Sequence, residues 1–217
     1  MEQTIPVVLA VIIITCLFSW KGFNDSSFFN KYMFNVGRIK AGEQYRMFTS
    51  AVLHGDLMHL AFNMYSLYMF AGILVLFFGS LKFLIIYILS VAFGALLSLQ
   101  INKDNNYYSA IGASGGVMGV IYSAILIYPD MGLYLFFIPI EIPAYLFAIG
   151  YLAYSVFGIK KSLGNIGHEA HIGGAIGGIL VTGILDYQLL TNNLLLLALM
   201  LAPIVALYVM YRSGKLK

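Results

Sequence analysis

Charged residues are scarce in this chain, which has 217 residues, of which 10% are charged and 61% hydrophobic. An ordinary soluble domain has about 25% charged residues. A soluble core of this length cannot bury so much apolar surface, whereas lipid-facing positions in a bilayer must also be apolar. A single cysteine excludes a disulfide framework, and a net charge of +3 without a basic, aromatic-rich stripe gives nucleic-acid binding no support. The composition therefore predicts an integral membrane protein.

Seven apolar runs separated by polar breaks predict an all-α, polytopic transmembrane bundle. They lie at about 4–20, 57–79, 83–99, 114–128, 142–157, 170–185 and 194–211. The first run follows Glu2 rather than a basic segment and ends in Trp20-Lys21, so we interpret it as a retained membrane helix rather than a signal peptide. We expect a single domain over 1–217, with a core at about 4–186 and an extra C-terminal helix at about 194–211.

The runs at 114–128 and 170–185 are short for a membrane span, which needs about 20 residues. A 15-residue helix rises only about 22 Å, less than the hydrocarbon core. Irregular backbone must therefore continue it inside the protein, where such backbone is tolerated when it is buried or lines a wet cavity. We expect the polar stretch 102–106 to lead into a loop that dips inward and starts a helix near Ser114.

A serine lies among glycines at the start of the fourth run, in Gly112-Ala113-Ser114-Gly115-Gly116. The pairs Gly112/Gly116 and Gly115/Gly119 have the small-xxx-small spacing that lets helix backbones approach closely. A packing face with no chemistry is one interpretation. The other is that free backbone N–H groups at this helix start favour negative charge developing beside Ser114.

A histidine begins the sixth run, in Ala170-His171-Ile172-Gly173-Gly174. Gly174 and Gly178 lie three and seven residues after His171 and share its helix face, which predicts close contact with a partner helix. Contact with the glycine-flanked serine would bring imidazole within reach of hydroxyl. A histidine that merely links two helices is the alternative, although ionisable groups within membrane spans are functional candidates.

His59 and Asn63 are four residues apart and project from one face of the second run. A side-chain amide can stabilise an oxyanion in acyl transfer, and an interhelical polar clasp is the alternative. None of the nine acidic residues lies within an apolar run, and Glu169 is two residues from His171, which places it on another helix face. The residues therefore predict a Ser114–His171 dyad, in which the histidine activates the serine, rather than a triad.

Together these motifs resemble the rhomboid family of intramembrane serine proteases. Gly-Ala-Ser-Gly at 112–115 is similar to the family's GxSG nucleophile motif, Ala170-His171 to its base motif, and His59/Asn63 to its HxxxN pair. His54 matches a further histidine position, and Tyr45-Arg46 is similar to the Trp-Arg pair of the first loop. The resemblance spans the chain from the first loop to about residue 185, and the last run corresponds to the extra helix of six-plus-one members.

The resemblance implies that Ser114 is the nucleophile and His171 the general base. It implies an oxyanion hole of Asn63 and the backbone N–H groups of Ser114 and Ala113, with His59 nearby. Substrates would be single-pass transmembrane proteins in contact with membrane lipid, and no metal or organic cofactor is implied. We expect a multi-pass protein of the bacterial plasma membrane. The sequence leaves the oligomeric state open.

Two features of the sequence differ from what the rhomboid resemblance implies: the residue four positions after the serine and the distribution of basic residues. Some members carry an aromatic residue four positions after the serine that packs against the base, whereas this chain has Met118, which leaves the orientation of His171 open. The family orientation puts the first loop outside, yet the side holding the first loop also holds all the Lys and Arg residues except Lys82. The positive-inside rule favours the opposite topology.

Two other functions stay open. A rhomboid-like scaffold without catalysis would bind transmembrane clients, although the intact Ser114 and His171 count against it. A metal transporter or metalloenzyme would use residues such as His54, His59, His168 and His171, but HExxH spacing is absent.

Overall fold

The computed structural model describes residues 5–134, 140–161, 163 and 166–215. Its helices in chain order are α1 (Ile5–Asn24), α2 (Ser26–Tyr32), α3 (Val36–Lys40), α4 (Arg46–Thr49), α5 (Leu57–Phe78), α6 (Ser80–Ile101), α7 (Ser114–Ile127), α8 (Ala144–Lys161), α9 (His168–Leu185), α10 (Gln188–Thr191) and α11 (Leu194–Arg212). A 3₁₀ turn at Ser50–Val52 follows α4.

Each of the seven predicted apolar runs forms a helix of 14 residues or more, so the predicted helical bundle is confirmed. Helices α1, α5, α6 and α11 are long and apolar enough to cross a membrane. Many large apolar side chains on these helices are exposed, among them Ile13, Tyr65, Leu81 and Leu195. A bilayer explains this surface, because lipid replaces water around it. The protein is a polytopic helical membrane bundle.

Helix α7 forms the centre of the bundle. It has 14 residues, and every one from Gly115 to Ile127 is buried. It packs against α5, α6 and α9. At about 1.5 Å per residue it rises about 21 Å, less than the hydrocarbon core of about 30 Å. The predicted short helix beginning at Ser114 is therefore confirmed, with neighbouring helices shielding it from lipid.

Short strands add detail that the all-α prediction lacks. Strand β1 (Phe34–Asn35) in the first loop pairs antiparallel with β2 (Ser109–Ala110). Beside this ribbon, the backbone N–H of Gly37 donates to the Asn106 carbonyl at 3.0 Å. Strands β3 (Gly132–Tyr134) and β4 (Glu141–Pro143) form a second ribbon between α7 and α8. The first ribbon ties the first loop to the segment that leads into α7.

Buried Arg46 organises the first loop. Its guanidinium donates to the backbone carbonyls of Asn30 at 2.8 Å and Met33 at 2.9 Å, and its Nε lies 2.6 Å from a Glu43 carboxylate oxygen. The hydrogen bond from Arg46 lowers the pKa of the Glu43 carboxyl. The fork of donors holds separate loop segments together, a geometry that an ammonium group cannot reproduce. Arg46 therefore stabilises the first loop, and its predicted supporting role at the site stays a prediction.

Helix α11 lies at the edge of the bundle. It packs mainly against α8, and the Gln100 amide donates to the Tyr211 hydroxyl at 2.8 Å. Because α6 and α11 end next to each other, the C-terminal segment lies on the same side as the loop that leads to Ser114. This arrangement agrees with seven alternating spans.

Candidate active site

Ser114 is the first residue of α7 and is half-buried. The first N–H groups of a helix have no partner in their own helix, so those of Ser114 and its successors are available to an anion. Gly112, two residues earlier, has φ +119°, a conformation that favours glycine. A Cβ on Gly112 would also come within 2.8 Å of the His59 ring. Glycine at this position therefore lets the chain turn into α7 beside His59.

This geometry corrects part of the glycine prediction. Gly112 precedes α7, so Gly112/Gly116 is not a pair on one helix face. Gly116 instead faces α6, where a Cβ would come within 2.8 Å of Val91. The pair Gly115/Gly119 does pack as predicted. The four-residue spacing is not a helical repeat at this point, because Gly112 has a positive φ and lies before the start of α7.

Glycines bring α7 and α9 into backbone contact. A Cβ on Gly174 would collide with the Gly115 carbonyl, and one on Gly178 would collide with the backbone of Gly119. The contact between these two glycine faces is therefore confirmed. It places the N-terminal ends of both helices side by side, with Ser114 on one and His171 on the other.

Ser114 and His171 line the same cavity, which has a volume of about 1360 Å³. The described residues show no hydrogen bond between the two side chains. In substrate-free sites such bonds are often long and tighten when substrate binds. The structure thus brings the predicted nucleophile and base to one cavity, between helices that cannot separate without losing their glycine packing.

Asn63 and His59 line this cavity from α5. Asn63 is buried, and its side-chain amide donates to the His59 carbonyl at 3.0 Å, one turn earlier. The Asp56 carboxylate caps α5 by accepting from the His59 N–H at 2.8 Å. An amide carries two N–H donors, so this backbone bond leaves one for a ligand in the cavity. The expected common face of His59 and Asn63 is confirmed, and their predicted chemical roles remain predictions.

His54 is fully buried and links the start of α7 to α1. Its Nε2 lies 3.3 Å from the Ala113 backbone nitrogen, whose N–H it accepts, and its Nδ1 lies 2.9 Å from the Ser19 hydroxyl. The Ser19 hydroxyl in turn donates to the Val52 carbonyl at 3.0 Å. Burial lowers the pKa of His54 to about 3, so the ring is neutral at physiological pH. His54 therefore anchors the backbone directly before Ser114, and its predicted supporting role in the chemistry stays a prediction.

The hydrogen bond to His54 also decides whether the Ala113 N–H is available to an oxyanion. The resemblance implied that the Ala113 N–H could stabilise an oxyanion. In the structure that N–H already donates to His54, so it is not free for this purpose. The sequence could not show this, because His54 and Ala113 are 59 residues apart.

Tyr151 on α8 is the site residue that the sequence analysis missed. Its hydroxyl lies 2.7 Å from Nδ1 of His171, and the two ring centroids are 5.9 Å apart at an interplanar angle of 32°. Met118 is buried and lines the cavity, without an aromatic ring to stack on the base. The aromatic spacing of Phe147, Tyr151 and Tyr154 along α8 was the available signal.

Glu169 points away from His171, as its spacing predicted. Its carboxylate accepts from the Asn102 amide at 3.2 Å, which ties the start of α9 to the end of α6. The observed side-chain partner of Nδ1 of His171 is thus a tyrosine and not a carboxylate. Among the residues that the structure describes, no three His, Cys, Asp or Glu side chains come together as a metal site requires.

The site residues lie within a segment of the chain that matches a known protein family. The model of the Rhomboid domain matches residues 41–188, more than half of the chain. The chain belongs to the rhomboid family. The matched segment contains every predicted site residue and ends before α11.

Named relatives of this rhomboid protein come from a plant, a yeast and a bacterium. RHOMBOID-like protein 12, mitochondrial, of Arabidopsis thaliana is 30% identical over 172 residues, which cover 72% of this chain and 51% of the relative. Rhomboid protein 1, mitochondrial, of Saccharomyces cerevisiae is 29% identical over 134 residues, 60% of this chain and 39% of the relative. Rhomboid protease GluP of Bacillus subtilis is 33% identical over 140 residues, 64% of this chain and 26% of the relative.

These relatives limit what can be transferred. The chain spans about half or less of the length of these three proteins. Two of the three are mitochondrial, so the expectation of a bacterial plasma membrane is not supported. The integral membrane location itself follows from the helices and the family.

Proposed function

We propose that this rhomboid protein is an intramembrane serine endopeptidase with Ser114 as nucleophile and His171 as general base. The observation that carries the proposal is that both side chains line one cavity, at helix starts held together by backbone contact between glycines. A serine hydroxyl needs an adjacent base to become nucleophilic.

The reaction follows acyl-transfer chemistry. The Ser114 oxygen attacks the peptide carbonyl carbon while His171 takes the hydroxyl proton. The C–N bond then breaks, and His171 returns this proton to the leaving amine. Water, deprotonated by the same histidine, hydrolyses the acyl-enzyme and restores the serine.

The tetrahedral intermediates place negative charge on the former carbonyl oxygen. Asn63 supports this step from α5 with a side-chain N–H, and the first-turn amides of α7 support it from the other side. Ala113 is left out of this oxyanion hole because its N–H donates to His54. His59 packs against Gly112 at the edge of this region.

The shape and lining of the cavity favour a hydrophobic substrate segment. Helices α5 and α8 flank the cavity with Phe62, Tyr65 and Met69 on one side and Phe147 on the other. These side chains suit an apolar chain, and Ser114 and His171 line the same cavity. Single-pass transmembrane proteins are therefore the proposed substrate class.

The test is cleavage of a model single-pass substrate in liposomes. Wild type should cleave, and Ser114→Ala and His171→Ala should not, while both variants stay folded. Ser80→Ala is the matched control, because Ser80 also begins a membrane helix but does not line the cavity. Cleavage that survives in Ser114→Ala would end the proposal. A folded wild type that binds the substrate without cleaving it would fit the scaffold alternative instead.

A further inference from the structure

The His171 ring belongs to a column of aromatic rings contributed by α8. Phe147 stacks on Tyr151 with centroids 5.6 Å apart and an interplanar angle of 25°, and Tyr151 packs in turn against His171. The Tyr151 hydroxyl reaches Nδ1 at 2.7 Å, a full-strength hydrogen bond. The ring of the proposed base is therefore fixed by contact on one face and by a polar bond at one nitrogen.

This bond controls which nitrogen of His171 can act as a base. A neutral imidazole carries one proton, and the nitrogen without it is the acceptor. If Nδ1–H donates to the Tyr151 oxygen, Nε2 is free to take the Ser114 proton. Once that proton is transferred, both ring nitrogens carry protons and Nδ1–H can only donate to Tyr151. A charge-assisted bond of this kind is stronger than a neutral one, so it grows as the reaction proceeds.

We propose that Tyr151 is the positioning residue of the base, accepting from Nδ1–H of His171 and so directing Nε2 towards Ser114. The inference rests on the proposed function. Tyr151 occupies the place that a carboxylate fills in a catalytic triad. The nearby carboxylate of Glu169 does not fill it, because it accepts a hydrogen bond from Asn102 instead. It supplies from α8 the ring contact that Met118, on α7, does not.

Kinetics of Tyr151→Phe test this role, since phenylalanine keeps the ring and removes only the oxygen. We expect kcat to fall about 10-fold with KM unchanged, which corresponds to about one hydrogen bond lost in the transition state. The melting temperature should fall by only about 2–4 °C, because the same bond is also lost in the resting protein. Labelling of Ser114 by a serine-reactive phosphonate should slow in parallel. Tyr154→Phe is the matched control, because Tyr154 lies on the same helix and contacts the His168 ring rather than His171.

The tautomer of His171 can also be measured directly in the wild-type protein, and this test does not depend on the activity of any variant. Nitrogen-15 NMR of the four histidines, with the His171 signals assigned by their loss in His171→Gln, reports the tautomer. Protonation at Nδ1 at neutral pH supports the inference, and protonation at Nε2 overturns it. Full kcat in Tyr151→Phe would also overturn it. Either result leaves the proposed function intact if Ser114→Ala is inactive, whereas an active Ser114→Ala would remove the proposed function itself.

Discussion

Replacing Gly174 with alanine tests the glycine contact that positions the site. The new Cβ would overlap the Gly115 carbonyl and lie 2.9 Å from the Gly115 Cα. These neighbours are backbone atoms, which cannot rotate away as a side chain could. The two helices must therefore separate, and overpacking of this kind costs about 1–3 kcal/mol. We take about 3 kcal/mol, because the obstruction is rigid.

The matched control is Gly150→Ala on α8, where a Cβ would meet no heavy atom within 4 Å. Both substitutions gain about 1 kcal/mol of helix propensity, so this term cancels in the comparison. Gly174→Ala should then be about 3 kcal/mol less stable than Gly150→Ala. For a chain of this size that difference corresponds to a melting temperature lower by about 6–12 °C.

Circular dichroism at 222 nm during heating in detergent measures the melting temperatures, and liposome cleavage measures function. Because the separation moves His171 away from Ser114, cleavage by Gly174→Ala should fall by about 10²-fold, as expected for a displacement of about 1 Å. Gly150→Ala should cleave like wild type. If Gly174→Ala has the same melting temperature as Gly150→Ala and cleaves at the wild-type rate, backbone contact between α7 and α9 does not position the site.

Three further predictions concern the cavity, the anchor and the topology. Asn63→Ala should lower kcat about 10²-fold at unchanged KM, the usual loss for one oxyanion donor, and an unchanged kcat would remove Asn63 from that role. His54 has its pKa lowered to about 3 in the fold, against about 6.5 when unfolded, so the unfolded chain binds more protons between these values. His54 should therefore contribute stability that is complete above about pH 6.5 and falls by about 1.4 kcal/mol per pH unit below it, so the pH slope of unfolding should be smaller by this amount in His54→Gln; an unchanged slope would show that His54 makes no such contribution. In a Cys16→Ser background, single cysteines that replace Lys40 and Lys215 should react with an impermeant maleimide from the same side of sealed vesicles. A cysteine that replaces Asp130 should react from the other side. Labelling of the cysteines at positions 40 and 215 from opposite sides would contradict the bundle topology.

The sequence predicted the helices well because the bilayer imposes a simple rule. Apolar runs must become helices, since lipid offers no partner to the backbone. The predicted fourth run at 114–128 and the observed α7 at Ser114–Ile127 differ by one residue at one end. The second run, 57–79, likewise becomes α5 at Leu57–Phe78, with Asp56 as its cap. The short ribbons escaped prediction because two- and three-residue strands leave no periodic pattern.

The candidate site was predictable where it depends on spacing within one helix. His59 with Asn63, and His171 with Gly174, share faces because of helical geometry alone. The His54–Ala113 bond joins distant segments and leaves no local signal. The aromatic spacing along α8 indicates a ring-bearing helix face at Tyr151, but not that this face contacts His171. Met118 indicates that α7 supplies no aromatic ring to pack against His171. That Tyr151 supplies this ring follows only from the packing of α8 against α9.

The most direct test of the central claim is covalent labelling of the nucleophile. Purified protein is treated with a serine-reactive phosphonate, and peptide mass spectrometry locates the adduct. We predict a single adduct on Ser114, absent in Ser114→Ala and strongly reduced in His171→Ala. Inert Ser114 in a protein that still cleaves its substrate, or an adduct on a different serine, would contradict the assignment.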